Sequence, residues 1–293
     1  MPEKMRMGVA GDYRYAIIPR LMDLDHKVVV VSGGASGIGR AFARIAARQG
    51  GDVVVADLDD ERLEAAVQEL VGLGTGRRFH GLRCDLRKDA DVKALAADAF
   101  ATMGRVDVLV NAAGVFLGGA LDEISVRDWE WMLEVNLLGP VRAVRAFLPS
   151  LKAQEAAYIV NVVSFGALVP RGPLTIPYDS SQAAIAHFTE GLALHAAPHG
   201  VRVSLFCLSR TEDAVGSHTR IRGTESWFGG GEPVAGDGSE ALEPVARLLA
   251  EGIRAEEYLI LEREEDRELA ARRFTDRDPG LTRHQLVARP GGA

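Results

Sequence analysis

A glycine-rich segment near the start of the chain has the residue types and spacing of a pyrophosphate-binding turn. Ser32-Gly-Gly-Ala-Ser-Gly-Ile-Gly39 follows four consecutive valines and precedes an alanine-rich stretch, so a buried strand turns through glycines into a helix. A helix N-terminus offers unpaired N–H groups and a partial positive charge, and glycine lets a phosphate approach the backbone closely. The sequence therefore predicts that this turn binds the phosphates of a nucleotide.

An aspartate indicates which nucleotide is bound. Asp57 ends the next apolar run, about twenty residues after the glycines, where a carboxylate would accept hydrogen bonds from the adenosine ribose hydroxyls. The same carboxylate would repel a 2′-phosphate, and neither Ser36 nor Leu58 supplies an arginine to neutralise one. The predicted cofactor is NAD rather than NADP.

Apolar, strand-like runs alternate with helical patterns along the chain. Strands are expected at residues 27–31, 52–56, 78–83, 106–110, 157–163, 201–206 and 258–261. Helices are expected near residues 38–49, 60–71, 89–103, 126–151, 179–197 and 244–254. Strands separated by helices form a parallel sheet that is covered on both faces. We therefore expect an α/β fold, a single doubly wound Rossmann domain with a parallel seven-stranded sheet and helices on both faces.

This domain is expected to span residues 22–262. Residues 1–21 show no hydrophobic period and are interpreted as an N-terminal extension. A glycine-rich loop at about residues 209–238 follows the sixth strand at the carboxyl edge of the sheet, where open α/β folds bind ligands. It is either a substrate lid or a solvated loop with one aromatic anchor. Residues 263–293 are interpreted as a mobile, charged C-terminal tail.

Composition and charge argue against several classes of partner. The 293 residues are 47% hydrophobic and 26% charged, which suits one large domain. Acidic residues outnumber basic ones by 41 to 34, and no basic cluster is interleaved with aromatics, so no nucleic acid is expected. No apolar stretch approaches the roughly eighteen residues of a membrane span, and residues 1–25 lack the core of a signal peptide. A cytoplasmic protein without a membrane partner is expected.

The cysteines and histidines give no sign of a disulfide framework or a metal site. Cys84 and Cys207 are the only cysteines, and each lies beside a predicted strand. We expect both to be buried free thiols. The histidines show no metal-like pairing with carboxylates, so no metal is expected.

Five sequence motifs occur in an order that is typical of one known family. They are, in chain order, the turn at 32–39, Cys84-Asp85-Leu86, Asn111-Ala-Ala-Gly114, Val135-Asn136-Leu137, and Asn161-Val-Val-Ser164 with Tyr178 fourteen residues further on. By these motifs the chain resembles the short-chain dehydrogenase/reductase family over roughly residues 22–262.

The resemblance implies an NAD-dependent oxidoreductase that interconverts a carbonyl and a secondary alcohol on a small molecule. Tyr178 would exchange a proton with the substrate oxygen, Ser164 would orient that oxygen, and Asn136 would belong to a proton relay. The cofactor-binding residues that the resemblance implies, together with Asp57, are Ser32, Gly33, Ser36, Gly37, Ile38, Gly39, Asp85, Leu86, Asn111, Ala112, Gly114 and Gln182.

Two departures from the family pattern affect the chemistry. The lysine that follows the family's tyrosine by four residues is Gln182 here, whose amide could reach the nicotinamide ribose but brings no charge to lower the pKa of Tyr178. The family's Pro-Gly after the sixth strand is Leu208-Ser209. We therefore expect weakened or altered catalysis, with alcohol oxidation affected most. The alternative is a protein of this fold without hydride transfer, either a dinucleotide-binding pseudoenzyme or a non-redox dehydratase or cyclase.

The resemblance also implies a homodimer or homotetramer. The helices through Asn136 and at 179–197 resemble the pair that forms the family's subunit interface. Apolar residues such as Ile185 and Phe188 exceed what one buried stripe needs.

Overall fold

Most of the strands lie in one parallel sheet in this computed structural model, which describes residues 22–209, 219–223 and 239–275. The strands within the described residues are β1 (Val28–Ser32), β2 (Asp52–Asp57), β3 (Phe79–Arg83), β4 (Val108–Asn111), β5 (Phe116–Gly119), β6 (Ala157–Ser164), β7 (Val201–Leu208), β8 (Thr219–Arg222) and β9 (Leu259–Leu261). Seven of them form the sheet in the order β3-β2-β1-β4-β6-β7-β9. The predicted doubly wound, seven-stranded parallel sheet is confirmed.

The helices cover both faces of this sheet. They are α1 (Gly37–Arg48), α2 (Asp60–Gly72), α3 (Asp89–Met103), α4 (Val126–Asn136), α5 (Leu138–Leu151), α6 (Ile176–Ala196), α7 (Glu243–Arg254) and α8 (Glu265–Thr275). Successive side chains of a strand point to opposite faces. Val29 and Val31 therefore pack with α1, α2 and α7, while Val28 and Val30 pack with α3, α5 and α6. Burial on both faces explains the run of four valines in β1.

The helix predicted at 126–151 is two helices. The helix is interrupted at Leu137, whose backbone angles are φ −112° and ψ −61°. The Asn136 side chain accepts a hydrogen bond from the Val115 N–H and donates one to the Val115 carbonyl, each at 2.8 Å. This pair of bonds ties the end of α4 to the segment after β4, so α5 starts as a separate helix.

Other elements also differ from the expectation. α6 begins at Ile176, so Tyr178 lies inside its first turn rather than before the helix. The short parallel pair β5–β8 and the helix α8 were not predicted, and α8 lies within the expected C-terminal tail. The N-terminal extension, most of the loop at 209–238 and the rest of the tail lie outside the described residues, so the predictions for them stay predictions.

Ile185 does not support a subunit interface. Its side chain is 2% exposed and belongs to a core cluster with Val163 and Leu205 of the same chain. That part of the argument for an oligomer was wrong, because α6 buries this residue against the sheet rather than presenting it outward.

Ser239, which lies just before α7, is hydrogen-bonded to α1. The Arg44 side chain is buried and donates hydrogen bonds to the Ser239 hydroxyl at 2.9 Å and the Ser239 carbonyl at 2.8 Å. Glu69 of α2 accepts a further bond from the same guanidinium at 3.0 Å. Residue 239 is thus fixed to α1 just before α7.

Cys84 and Cys207 are buried free thiols, as predicted. Burial raises the pKa of both thiols to about 12, so neither is ionised near neutral pH.

Among the described helices, none has the length and apolar character needed to cross a membrane.

Candidate active site

The glycine turn has the shape of a phosphate cradle. A Cβ on Gly33, which has φ +70°, would lie 2.5 Å from the Ala113 Cα, and one on Gly39 would lie 2.1 Å from the Gly33 carbonyl oxygen. Both positions therefore exclude any side chain. The N-cap residue Ser36 makes no side-chain capping bond to α1. The first N–H groups of α1 are thus available to an anion, with Gly37 and Ile38 in that first turn.

The Asp57 carboxylate is held beside this turn. Its Oδ2 accepts a hydrogen bond from the Ala35 N–H at 3.1 Å, and its Oδ1 accepts one from the Leu58 N–H at 2.8 Å. Asp57 is half-buried at the carboxyl end of β2. The carboxylate is therefore oriented before any ligand binds, as a ribose-binding group requires.

The Asp85 carboxylate is engaged within its own loop. Arg87 donates to it from Nε at 2.8 Å and from Nη2 at 2.7 Å. The hydrogen bond from Arg87 is the main reason why the pKa of Asp85 lies below its ordinary value. The Asp85 carboxylate therefore already has a partner within its own loop. Leu86, next in the chain, is buried.

Asn111 belongs to a series of buried polar side chains that are hydrogen-bonded to one another across the sheet. Its Nδ2 donates to the Asn161 side-chain oxygen at 2.8 Å, and its own oxygen accepts from the Ser32 hydroxyl at 3.4 Å. Asn161 in turn donates to the Thr189 hydroxyl of α6 at 2.9 Å. These hydrogen bonds connect β1, β4, β6 and α6. Asn161 and Thr189 were not predicted as site residues, although Asn161 precedes Ser164 in the motif that ends β6.

Ala112 and Gly114 continue from β4 towards the site. The Ala112 N–H donates to the Ser32 carbonyl at 3.0 Å, which extends the β1–β4 pairing. Gly114 lies near Asn136, since a Cβ there would be 3.7 Å from the Asn136 oxygen. The segment after β4 is therefore held between the glycine turn and α4.

Tyr178 lies in the first turn of α6 with its side chain in an apolar cluster. It is 4% exposed, and its ring centroid is 4.9 Å from that of Phe116. Burial raises the pKa of Tyr178 well above its ordinary value. In the described part of the chain, no hydrogen bond joins its hydroxyl to Ser164.

Ser164 and Gln182 contact each other. The Ser164 N–H donates to the Gln182 Oε1 at 2.9 Å, and the Ser164 Oγ accepts from the Gly166 N–H at 3.2 Å. Gln182 Nε2 lies 3.4 Å from the Ser181 hydroxyl, to which it donates. The structure therefore turns the Gln182 amide to the end of β6.

Ser181, which the sequence did not mark, links the remaining predicted residues. Its hydroxyl donates to the Tyr178 carbonyl at 2.7 Å and accepts from Asn136 Nδ2 at 3.2 Å. The structure thus brings Asn136, Tyr178, Gln182 and Ser164 into one connected cluster at the carboxyl edge of the sheet. Ser181 lies three residues after Tyr178, and this spacing is the signal by which the sequence could have indicated it.

Arg171 and Asp179 are the charged residues beside Tyr178 that sequence reasoning missed. The Arg171 Cζ atom is 5.2 Å from the centroid of the Tyr178 ring. Arg171 Nε donates to Asp179 Oδ1 at 3.0 Å. An arginine in a proline-rich segment has no sequence pattern that would indicate its role. Its position beside Tyr178 is visible only in the folded structure.

Strand β7 continues through Leu208, where the family has Pro-Gly. Leu208 is buried and pairs in register with Ser164 as a continuation of the strand. The Ser209 N–H is next and donates to Glu262 Oε2 at 2.7 Å. The Ser209 hydroxyl also donates to Asp266 of α8. Both contacts fasten the start of the 209–238 loop to the chain's last described elements.

An open groove of about 960 Å³ lies along α4 and β8. Its charges are mixed, since Arg222 donates to Asp128 at 2.8 Å and Arg220 stacks on the Trp131 ring at 3.7 Å. It is lined by none of the residues predicted for catalysis. Within the described ranges, no three histidine, cysteine or acidic side chains are grouped as a metal site.

Comparisons with known proteins agree with this geometry. Residues 27–220 match the family described as short chain dehydrogenase. The 2,3-dihydro-2,3-dihydroxybenzoate dehydrogenase of Bacillus subtilis is 32% identical over 220 residues, which cover 72% of this chain and 83% of that protein.

Two solved structures show the same architecture. A short chain dehydrogenase/reductase from Burkholderia phymatum in complex with NAD is 32% identical, with a TM-score of 0.73 over 93% of this chain and 99% of that one. An NADPH-bound short chain oxidoreductase from Pseudomonas aeruginosa, described as containing an atypical catalytic center, is 32% identical, with a TM-score of 0.60 over 62% of this chain and 72% of that one. With the glycine turn, the parallel sheet and this family match together, the chain belongs to the short-chain dehydrogenase family of oxidoreductases.

Proposed function

We propose that the protein is an NAD-dependent oxidoreductase that interconverts a carbonyl and a secondary alcohol on a small molecule. One observation carries the proposal: the glycine turn with Asp57 and the pair Ser164 and Tyr178 lie at the same carboxyl edge of the parallel sheet. Ligands of open α/β folds bind at this edge. The similar proteins of known structure hold NAD in one case and NADPH in the other, so Asp57 is the argument for NAD.

The residues present fit a dinucleotide. The turn is closely packed at Gly33 and Gly39, the first N–H groups of α1 have no side-chain cap, and the Asp57 carboxylate is already oriented. When bound, the nicotinamide would supply or accept the hydride. The other residues proposed to line the cofactor site are Ser32, Ser36, Gly37, Ile38, Asp85, Leu86, Asn111, Ala112, Gly114 and Gln182.

The proton chemistry is proposed to rest on Tyr178. In carbonyl reduction the tyrosine is the acid, and its burial keeps the phenol protonated near neutral pH. Ser164 would donate a hydrogen bond to the same substrate oxygen, and Asn136 would belong to the relay. Alcohol oxidation needs the phenolate, so we expect it to be the weaker direction at neutral pH.

Replacement of Tyr178 by phenylalanine tests this function. Tyr178→Phe should abolish turnover in both directions, while NAD affinity measured by calorimetry stays nearly unchanged, because the phenol transfers a proton and the turn with Asp57 binds the cofactor. Turnover is measured by NADH absorbance with a panel of carbonyl compounds. Tyr258→Phe, at an exposed tyrosine, is the matched control. A Tyr178→Phe variant as active as the wild type would show that Tyr178 is not the acid.

Two structural features favour a second function. Gln182 is engaged with Ser164, and β7 continues through Leu208 where the family has Pro-Gly. Both changes lie where a nicotinamide would bind. They favour a dinucleotide-binding pseudoenzyme or a non-redox dehydratase or cyclase. NAD binding without turnover of any carbonyl or alcohol would select this second function.

We also propose a homodimer or homotetramer. Val126 of α4 is 74% exposed and Leu194 of α6 is 71% exposed, which leaves apolar side chains on the helices implied in the interface. Light scattering at micromolar concentration measures the mass, and a monomer would contradict the proposal.

A further inference from the structure

A guanidinium lies beside Tyr178 although position 182 carries no charge. The Cζ atom of Arg171 is 5.2 Å from the centroid of the Tyr178 ring. Arg171 belongs to the segment between β6 and α6. It therefore reaches the tyrosine from outside the helix on which Tyr178 and Gln182 lie.

Asp179 fixes the position of this guanidinium. Its Oδ1 accepts from Arg171 Nε at 3.0 Å, and its Oδ2 accepts from the Arg171 backbone N–H at 2.9 Å. The Thr175 hydroxyl donates to the same Oδ2 at 2.6 Å. The Asp179 side chain is 7% exposed and that of Arg171 is 22% exposed. A buried carboxylate with several donors holds its cation in one geometry.

Gly166 provides the space for this pair. A Cβ at Gly166 would lie 2.0 Å from Asp179 Oδ1 and 3.1 Å from Arg171 Nε. The Gly166 N–H donates to the Ser164 hydroxyl oxygen at 3.2 Å. The segment that carries Arg171 is thus fastened to both of the residues proposed to contact the substrate oxygen.

We propose that Arg171 is a positioning residue that supplies, beside Tyr178, the positive charge for which the family uses a lysine at the position of Gln182. The inference rests on the proposed function, in which Tyr178 exchanges a proton with the substrate oxygen. A cation beside an acid favours its charged form, and a buried pair is little screened by salt. Arg171 stabilises the phenolate that alcohol oxidation requires.

Charges of opposite sign act on the Tyr178 phenol in the described structure. Burial has the largest effect and raises the pKa of Tyr178, the Arg171 guanidinium lowers it, and the Asp179 carboxylate raises it. The neighbouring β5 and α4 contribute apolar side chains, Phe116 and Met132, to the same cluster. The guanidinium and the carboxylate therefore act in opposite directions on an ionisation that burial already disfavours.

Two substitutions should move the pH profile of alcohol oxidation in opposite directions. Arg171→Gln removes the cation, so the midpoint of kcat/KM should rise, with about a tenfold loss near neutral pH for one pKa unit. Asp179→Asn removes the opposing charge while its amide oxygen can still accept from Arg171, so the midpoint should fall. Arg171→Lys should stay near the wild type. Arg145→Gln, at an exposed arginine of α5, is the control and should shift nothing.

A merely structural role predicts a different result. If Arg171 and Asp179 only fasten the segment, both variants lower activity at every pH and leave the midpoint in place, which would overturn the proposal. Circular dichroism identifies any variant that does not fold. Should Arg171→Gln fail to fold, Arg171→Lys and Asp179→Asn still decide, because the first must keep the midpoint and the second must lower it.

Ionisation of Tyr178 can also be measured without turnover. Fluorotyrosine, whose phenol is more acidic, is incorporated biosynthetically, and the resonance that Tyr178→Phe removes is followed by fluorine NMR across pH. The midpoint should be lowest in Asp179→Asn and highest in Arg171→Gln. Equal midpoints would overturn the inference. If the wild type turns over no substrate, the proposed function fails, whereas this titration still reports on Arg171.

Discussion

The side-chain oxygen of Gln182 accepts a hydrogen bond from the backbone N–H of Ser164 across 2.9 Å. Both residues are buried, at 5% and 1% exposed. The bond joins α6 to the last residue of β6, so Gln182 holds together the two elements that carry Tyr178 and Ser164. A lysine cannot accept this bond, since its ammonium only donates. Position 182 therefore contributes to the fold as well as to the site.

Substitution of Gln182 should separate these two contributions. Gln182→Leu and Gln182→Lys both leave the buried Ser164 N–H without its acceptor, so each should lower the free energy of unfolding by about 1–3 kcal/mol. Only the lysine adds a charge near Tyr178, so only it should raise oxidation relative to reduction near neutral pH. Urea denaturation and initial rates measure both effects. Gln68→Leu, at an exposed glutamine of α2, is the control. Unchanged stability in Gln182→Leu would contradict the structural contribution.

Gly166 should not tolerate alanine. The added Cβ would lie 2.0 Å from Asp179 Oδ1, and Asp179 cannot move away without breaking its bonds to Arg171 and Thr175. We expect Gly166→Ala to lower the free energy of unfolding by about 1–3 kcal/mol. Gly172→Ala, in the same segment with open space around it, should change that energy by less than about 1 kcal/mol. Equal melting temperatures for the two variants would show that the contact is not tight.

Asp57 should decide the choice of cofactor. The wild type should bind NAD more tightly than NADP, because a 2′-phosphate would approach a carboxylate that three backbone N–H groups already orient. Asp57→Ala should reduce the ratio of the two dissociation constants by about tenfold. Asp60→Ala, at an exposed aspartate that begins α2, should leave the ratio unchanged. Calorimetry gives both constants, and similar wild-type values for NAD and NADP would refute the prediction.

Asp128 should make stability depend on pH at the acidic end. It accepts from Arg222 at 2.8 Å and from the Ser125 hydroxyl at 2.8 Å, and the bond from Arg222 is the main reason why its pKa lies well below the ordinary value of 3.8. A lowered carboxyl pKa contributes stability that is present above 3.8 and is lost as the pH falls through the lowered pKa.

The Asp128→Asn variant should lack this part of the acid sensitivity. Its free energy of unfolding should fall less than that of the wild type between about pH 5 and pH 2. Asp122→Asn, at an exposed aspartate, serves as the control. Parallel pH curves for the wild type and Asp128→Asn would show that the pair with Arg222 does not contribute.

Local patterns were enough to predict the sheet and the glycine turn. Four valines buried on both faces and glycines before a helix are local signals, all contained in residues 28–39. The break at Leu137 could not be predicted in this way, because it depends on Asn136 contacting Val115, twenty-one residues away in the chain.

The candidate site was predicted as a set of residues but not as a set of contacts. The roles expected of Tyr178, Ser164, Asn136 and Gln182 follow from the resemblance of their motifs to the family pattern. The engagement of Gln182 with Ser164 depends on how α6 packs on β6, and the approach of Arg171 depends on a segment folding back onto Asp179. Neither contact has a sequence period, so only the tertiary structure reveals them.

Ser209 and Ser239 are both fastened to the body of the domain, the first by Glu262 and Asp266 and the second by Arg44. Strand β8, which pairs with β5, lies between these two anchors, and the anchors themselves are held by hydrogen bonds that do not involve it. Substitutions between the two anchors that spare β8 should therefore leave the hydrogen bonds that support the glycine turn, Ser164 and α6 unchanged.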